Sequence, residues 1–191
     1  MKISQLKLIA LFLLINWIGN AQKYSNTDQT VVTKSWNGNS FSSTKSFTEN
    51  ISEVLDFSML KRVLENKEIL KAIEDEEMVT IFVISNKGFE KYQETKDSIF
   101  SSSNVEMLNA IIKFHIIPGR VDSHSINKAI ERKGGTIYFA TLQGEKIGIK
   151  EENGQLLLVD SKENTSIVSA TDFYHKNGFF HIVDGIIFPT N

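Results

Sequence analysis

Through the first part of the chain, apolar side chains recur three and four residues apart. Ile51, Val54 and Leu55, then Leu60, Val63 and Leu64, then Leu70 and Ile73 carry the spacing of a buried stripe on short amphipathic helices. Glu74-Asp75-Glu76-Glu77 ends that stretch; consecutive acids without glycine or alternating ligand spacing make a solvated loop rather than a calcium loop. Thr80-Ile81-Phe82-Val83-Ile84 is an unalternating apolar run of strand length, which predicts a strand covered on both faces, and Asn86 follows where a helix cap belongs. Ser103-Asn104-Val105-Glu106 has the form of a capping box. From it Val105, Leu108, Ile111, Ile112 and His115 continue one helical face, which must stop before Pro118. Ile117 precedes that proline and is pushed toward extended geometry, which sets His115 at a packed junction between helix and strand.

Beyond Gly135 the period changes to two. Thr136 to Leu142, Glu145 to Lys150 and Gln155 to Val159 predict strands, with Asn153-Gly154 as a hairpin turn. Thr165 to Ser169 and Phe179 to Val183 predict two more, with Asp172 to Gly178 as the loop between them, and Ile186-Ile187-Phe188-Pro189 closes the domain. Helices first and strands later favour an α+β fold over repeating βαβ units.

The first 21 residues differ from the rest. Lys2 and Lys7 lead into the apolar stretch Leu8 to Ile15, and Gly19-Asn20-Ala21 supplies small residues at a cleavage-type position. This predicts a secretory signal peptide over 1–21, too short and broken for a membrane span. Residues 22–49 are rich in Ser, Thr, Asn and Lys, which predicts a polar amino-terminal arm or linker. Its composition suits a disordered spacer, while its aromatics Trp36, Phe41 and Phe47 suit an arm that partly docks on the domain expected over 50–191, and both readings stay open.

Composition narrows the chemistry. The 191 residues are 41% hydrophobic and 23% charged, enough for one ordinary core. With no cysteine, thiol nucleophiles, disulfides and thiolate metal sites are excluded. The formal charge is −2; loss of Lys2 and Lys7 with a signal peptide would take the 21 basic side chains to 19, against 23 acidic, a net −4. No electrostatic footprint for nucleic acid follows. The chain has no glycine-rich phosphate loop, dinucleotide fingerprint, zinc helix or nucleophile elbow. Asp122-Ser123-His124 holds the residue types of a hydrolase triad, but triads converge in space and not in sequence, so Ser123 reads better as a helix cap. His115, His124, His175 and His181 lack paired ligand spacing, so no metal or cofactor is expected. His181 alternates with Phe180 and Ile182 and predicts a hydrogen-bonded core histidine. Phe179-Phe180 and Tyr138-Phe139 at strand spacing predict core, or the lining of an apolar pocket.

Three segments in one order resemble the fasciclin domain family. TIFVISNKGF, Thr80 to Phe89, is similar to the family's first signature block, in which a buried strand runs into a helix. Thr80, Phe82, Asn86 and Phe89 keep its pattern; Ile84 replaces the usual proline and Gly88 the usual alanine. FHIIPGRV, Phe114 to Val121, is similar to the family's Tyr-His segment with phenylalanine in place of tyrosine, followed by Pro118 and Gly119. NGFFHIVDGIIFP resembles the second block and contributes His181, Asp184 and Pro189, and ATLQG, Ala140 to Gly144, falls where the family has a strand and turn. The resemblance implies an α+β domain with a β-wedge beside a helical layer, used outside the cytoplasm in adhesion and matrix contacts, without catalysis or cofactor. It also implies binding positions, since animal members are linked to integrins through the Tyr-His segment: Phe114 and His115, with Ile111, Ile112, Ile116 and Ile117. The residues themselves argue for packing there, since exposing each isoleucine would lose about 1.5 to 3 kcal/mol.

The expectation is therefore an exported, non-catalytic module, secreted, periplasmic or at the cell surface, contacting a protein or polysaccharide. The rival readings are a carrier of a small apolar ligand between sheet and helices, and a hydrolase using Asp122, Ser123 and His124.

Overall fold

Asn37 and Gly38 both have positive φ, 47° and 78°, as a two-residue type I′ turn requires. They fold Thr33–Trp36 (β1) back on Asn39–Ser42 (β2) in an antiparallel hairpin. Phe41 is buried and meets Phe173 and Phe180 edge-on at 5.2 and 5.1 Å, while Trp36 stacks on Phe57 at 5.4 Å. The aromatics thus dock, and the segment from Val31 on, expected as arm or linker, lies within the compact unit Val31–Asn191. The structure, a computed structural model, describes residues 30–90, 92 and 99–190. The expected signal peptide lies outside them.

The first helix, Phe47–Ile51 (α1), starts in a full capping box: Ser46 Oγ accepts from Glu49 N–H and Glu49 accepts from Ser46 N–H. One turn in, Asn50 is buried and ties three elements together. Its Oδ1 accepts from Ser42 N–H at 2.8 Å, and its amide donates to the carbonyls of Ser42, Lys45 and Ser46 and, more weakly, Tyr174. A 3-10 turn, Leu55–Phe57, leads into Ser58–Leu64 (α2) and Lys67–Glu74 (α3). Leu60, Val63, Leu64, Ile69 and Ile73 face the core, but Leu55 is 81% exposed because it sits on the outside of the 3-10 turn.

Val79–Ile84 (β3) is buried throughout and paired on both sides, antiparallel to Ile116–Pro118 (β4) and parallel to Gly178–Val183 (β9). Two covered faces call for the continuous apolar run seen in its sequence. Asn86–Glu90 (α4) follows β3, and Val105–Phe114 (α5) leads into β4. Ser123–Lys133 (α6) precedes the meander Ile137–Ala140 (β5), Lys146–Glu152 (β6), Gln155–Val159 (β7) and Thr165–His175 (β8). The large sheet runs β4-β3-β9-β8-β7-β6-β5.

Four local expectations are corrected. The capping box at Ser103 does not form: Ser103 lies in a 3-10 turn with its hydroxyl bonded to that of Ser101, and Val105 at the start of α5 is 46% exposed. Asn86 caps a neighbour and not its own helix: its Oδ1 accepts from Met59 N–H of α2, and its amide donates to Leu55 O and Ser58 Oγ. Asp172 to His175 is strand, since β8 continues through a bulge between Ala170 and Phe173, where Asp172 has φ 57°; the extra residue breaks the alternation that marks a strand in sequence. The cap of α6 is Asp122, which accepts from Ser125 N–H at 2.7 Å, and not Ser123.

The two departures from the first signature block touch each other. A Cβ on Gly88 would lie 2.7 Å from Ile84 Cγ2 and 3.2 Å from Gly185 N, so the larger residue at 84 occupies the room an alanine would need at 88. Gly88→Ala should therefore cost about 1 kcal/mol or more alone, and become close to neutral once Ile84→Ala removes that methyl. A double-mutant cycle read from urea midpoints checks this, with an expected coupling of at least about 0.5 kcal/mol; additive effects would show that the contact carries no strain.

Candidate functional site

The polar groups with chemical potential meet where β3, β9, the β8 bulge and the start of α6 converge. Thr80, fully buried in β3, donates from Oγ1 to Gly119 O at 2.8 Å and accepts from Val121 N–H at 2.9 Å. This holds the turn after Pro118 against the sheet. His181, fully buried in β9, uses both ring nitrogens: Nε2–H donates to Val121 O at 2.9 Å and Nδ1 accepts from Asp172 N–H at 3.1 Å. Only the neutral Nε2–H tautomer satisfies both bonds. Burial lowers its pKa accordingly. Its ring stacks on Phe82 at 5.4 Å. The Asp172 carboxylate, 3.9 Å from His181 Nδ1, accepts from Ser123 N–H at 2.7 Å and from the Ser123 hydroxyl.

Serine, aspartate and histidine therefore come close, but in an order that does not make a nucleophile. Ser123 Oγ is bonded to the carboxylate and not to an imidazole, and the histidine's donor is spent on a backbone carbonyl. A triad needs the base between hydroxyl and acid. Of the sequence candidates, Asp122 is occupied as a cap and His124 is exposed, so Asp122, Ser123 and His124 form no constellation. Among the described residues no group of three or more His, Asp or Glu side chains is placed to hold a metal ion. The sequence marks Asp172 only as the start of a loop, and nothing in its local pattern points to a place in this corner.

The Tyr-His-like segment is interior. Phe114 and His115 are each 1% exposed, and Ile111, Ile112, Ile116 and Ile117 lie between 0 and 3%. His115 Nδ1 donates to Ile111 O at 2.8 Å, while its buried Nε2 has no hydrogen-bond partner among the described residues. Desolvation lowers its pKa from 6.5 to about 4. His175, mostly buried, bonds Asn177 Oδ1 and is lowered for the same reason. What this corner shows to solvent is Pro118 and Arg120, the guanidinium lying 4.9 Å over the Phe179 ring. Of the remaining signature residues, Phe89 packs on Phe100, Asp184 pairs with Lys87 at 3.2 Å, and Pro189 lines a groove. That groove, about 640 Å³, runs between α5 and the last residues, with Met107, Ala110, Ile111 and Phe188 along it and Lys162 at its rim.

The comparisons with known proteins fit this geometry. The fasciclin domain model matches residues 55–189. The chain is 30% identical to human periostin over 148 residues, 77% of this chain and 16% of that protein. It is 25% identical to the Arabidopsis thaliana fasciclin-like arabinogalactan protein 17 over 138 residues, 70% of this chain and 29% of the relative. It thus spans under a third of the length of either relative. Among solved structures, a FAS1 domain pair from the insect cell adhesion molecule Fasciclin I shares the fold with a TM-score of 0.63 at 12% identity, covering 82% of this chain and 66% of that one. No helix among the described residues is long and apolar enough to cross a membrane. With the buried strand-to-helix block, the His181 corner and the mixed sheet all in place, the chain belongs to the fasciclin domain family.

Proposed function

We propose that this protein is an exported, non-catalytic adhesion module that contacts a protein or polysaccharide at the cell surface or in the matrix. Family membership carries the reading, together with a fold shared with a cell adhesion molecule. The wiring of the Ser123–Asp172–His181 corner supports it, because each group with nucleophilic or acid–base potential is consumed in holding β8, β9 and α6 together. In this reading Phe114, His115 and the flanking isoleucines hold the domain's shape, and contact falls to exposed faces. A domain of this size offers about one modest interface of roughly 800 Å² per partner, so adhesion should be weak per copy and rise with clustering, which can add about 10² to 10⁴ in avidity. Monomeric protein and protein coupled densely to beads, compared on cells and matrix, test this. Stronger retention of the beads is expected; equal retention, dependence on a chelatable metal, or turnover on a hydrolase substrate panel would overturn it. The groove of about 640 Å³ favours a second reading, a carrier of a small apolar ligand, since its size and largely apolar lining suit one. Mass spectrometry of the purified protein would reveal such a ligand.

A further inference from the structure

We propose that the solvent-facing side of the β5–β8 meander binds an acidic, uronate-bearing polysaccharide, with Tyr138 as its platform. This inference rests on the adhesive reading and names its partner's chemistry. Strand pairing defines the surface. Tyr138, Gly148 and Val159 lie opposite one another across β5, β6 and β7, and Lys150, Leu157 and Ile167 form the next row. The alternating residues Ile137, Ile147, Ile149 and Leu158 point the other way, into the core. Val159 and Leu157 are buried, at 2 and 9% exposure, yet they stand outside the core cluster. Their cover comes from their own side of the sheet.

Tyr138 is 58% exposed. A Cβ on Gly148 would lie 3.2 Å from its Cε1 and 3.0 Å from Thr136 Cγ2, so the ring rests against the strand where the only residue without a side chain makes room for it. No other aromatic ring or cation among the described residues stacks on Tyr138, and a ring held against a sheet with most of its surface in water is amphipathic and rigid at low entropic cost. The C–H faces of a sugar ring pack on such a platform, and an extended glycan can run across neighbouring strands from it. The three inter-strand steps from β5 to β8 span roughly 14 Å.

Charge and size select the partner. Lys150 on this side is paired with Glu152 at 3.2 Å. Lys146, two residues from Gly148 and on the same side, has no ion-pair partner among the described residues, which leaves a positive charge beside the platform. The exposed apolar side chains here are Tyr138 and Ile167, short of the core of a standard protein interface of roughly 800 Å² per partner. The chain's net charge of −2 supplies no long-range attraction to a polyanion, so recognition is local and salt-sensitive.

The test passes the full chain over immobilised polygalacturonate and, in parallel, over neutral dextran. Retention on polygalacturonate but not on dextran is expected, weakened by salt. Tyr138→Ala and Lys146→Glu should each reduce it about tenfold or more, with unfolding midpoints close to wild type because both side chains are exposed. Should Tyr138→Ala fail to fold, Lys146→Glu carries the test. No retention, equal retention on dextran, or retention unchanged in the folded variants would overturn the proposal. Beads bearing Tyr138→Ala separate the two levels: if they adhere to cells as well as wild-type beads, this inference falls and the adhesive reading stands, whereas if wild-type beads do not adhere either, the adhesive reading falls. Loss of cell adhesion by Tyr138→Ala without polygalacturonate binding would make the partner a protein and overturn the polysaccharide assignment.

Discussion

Gly178→Ala is expected to prevent folding, or to cost at least about 4 kcal/mol, at the exceptional end of single-residue effects. A Cβ at this position would stand 1.8 Å from Val79 O and 2.9 Å from Val79 C. The obstacle is backbone, and it cannot step aside: Val79 is in register with Gly178 on one side and with Pro118 on the other, and its N–H donates to Asn177 O at 2.9 Å. Relief would require opening the parallel β3–β9 pairing inside the sheet, where both strands are flanked by others. Gly154→Ala makes the control. Gly154 also has positive φ, 76°, but nothing lies within 4 Å of its would-be Cβ, so only left-handed strain of about 1 kcal/mol applies. Far-UV circular dichroism and urea titration of the two variants give the measurement, and a Gly178→Ala protein within about 1 kcal/mol of wild type would refute the close approach.

Acid should destabilise the protein well before its carboxylates titrate. The folded-state pKa of His115 is depressed to about 4 from 6.5 by desolvation, so the folded state binds fewer protons than the unfolded chain between those values. The stability is complete above pH 6.5 and is lost as pH falls toward 4. His115 alone should remove about 2 to 3 kcal/mol between pH 7.5 and 4.5. His175 and His181 are lowered by burial as well and act in the same direction. Glu49 and Asp122, held low chiefly by hydrogen bonds with Ser46 and Ser125, add their loss at still lower pH. Urea midpoints across this range check the expectation. A His115→Gln variant should start less stable, because the Ile111 carbonyl and the packing are disturbed, and should show a shallower pH slope. A flat wild-type profile would mean that the imidazole is solvated in the folded state.

Much of the fold was legible because one physical rule dominated each stretch. Burial on two faces made β3 a continuous apolar run, and burial on one face gave the meander its period of two. Both survive in a single sequence because each residue reports its own environment. The amino-terminal hairpin was harder: its turn chemistry, Asn37-Gly38, is plain, but its strands are four residues long and polar except at Trp36 and Phe41, so composition outweighed the turn. The full length of β8 could not be read because register shifts at Val168/Ala170 and at Ala170/Phe173 each interrupt the alternation. Asn86 looked like the cap of its own helix because propensity is local, whereas its actual partners, Leu55, Ser58 and Met59, are brought to it by tertiary packing.

The candidate surfaces divide on the same principle. Tyr138 and Phe139 are adjacent aromatics with equal claims to the core, and only strand register sends Phe139 inward against the core and leaves Tyr138 outside. The apolar sequence of Phe114 to Ile117 announced its burial, which direct inspection of a motif would have missed. The convergence of Ser123, Asp172 and His181 spans 58 positions of chain and leaves no trace in local pattern.

The ends of the large sheet bear on how such a protein is displayed. Its outermost strands are only three and four residues long, one of them finishes in Pro118, and the chain just beyond the other bends across to it, Leu142 N–H donating to Ile116 O at 2.9 Å. Little unpaired backbone is left at either margin for a neighbouring copy to zip onto. If the protein is displayed in many copies as proposed, molecules crowded on one surface can stand side by side without their large sheets fusing into continuous β-structure.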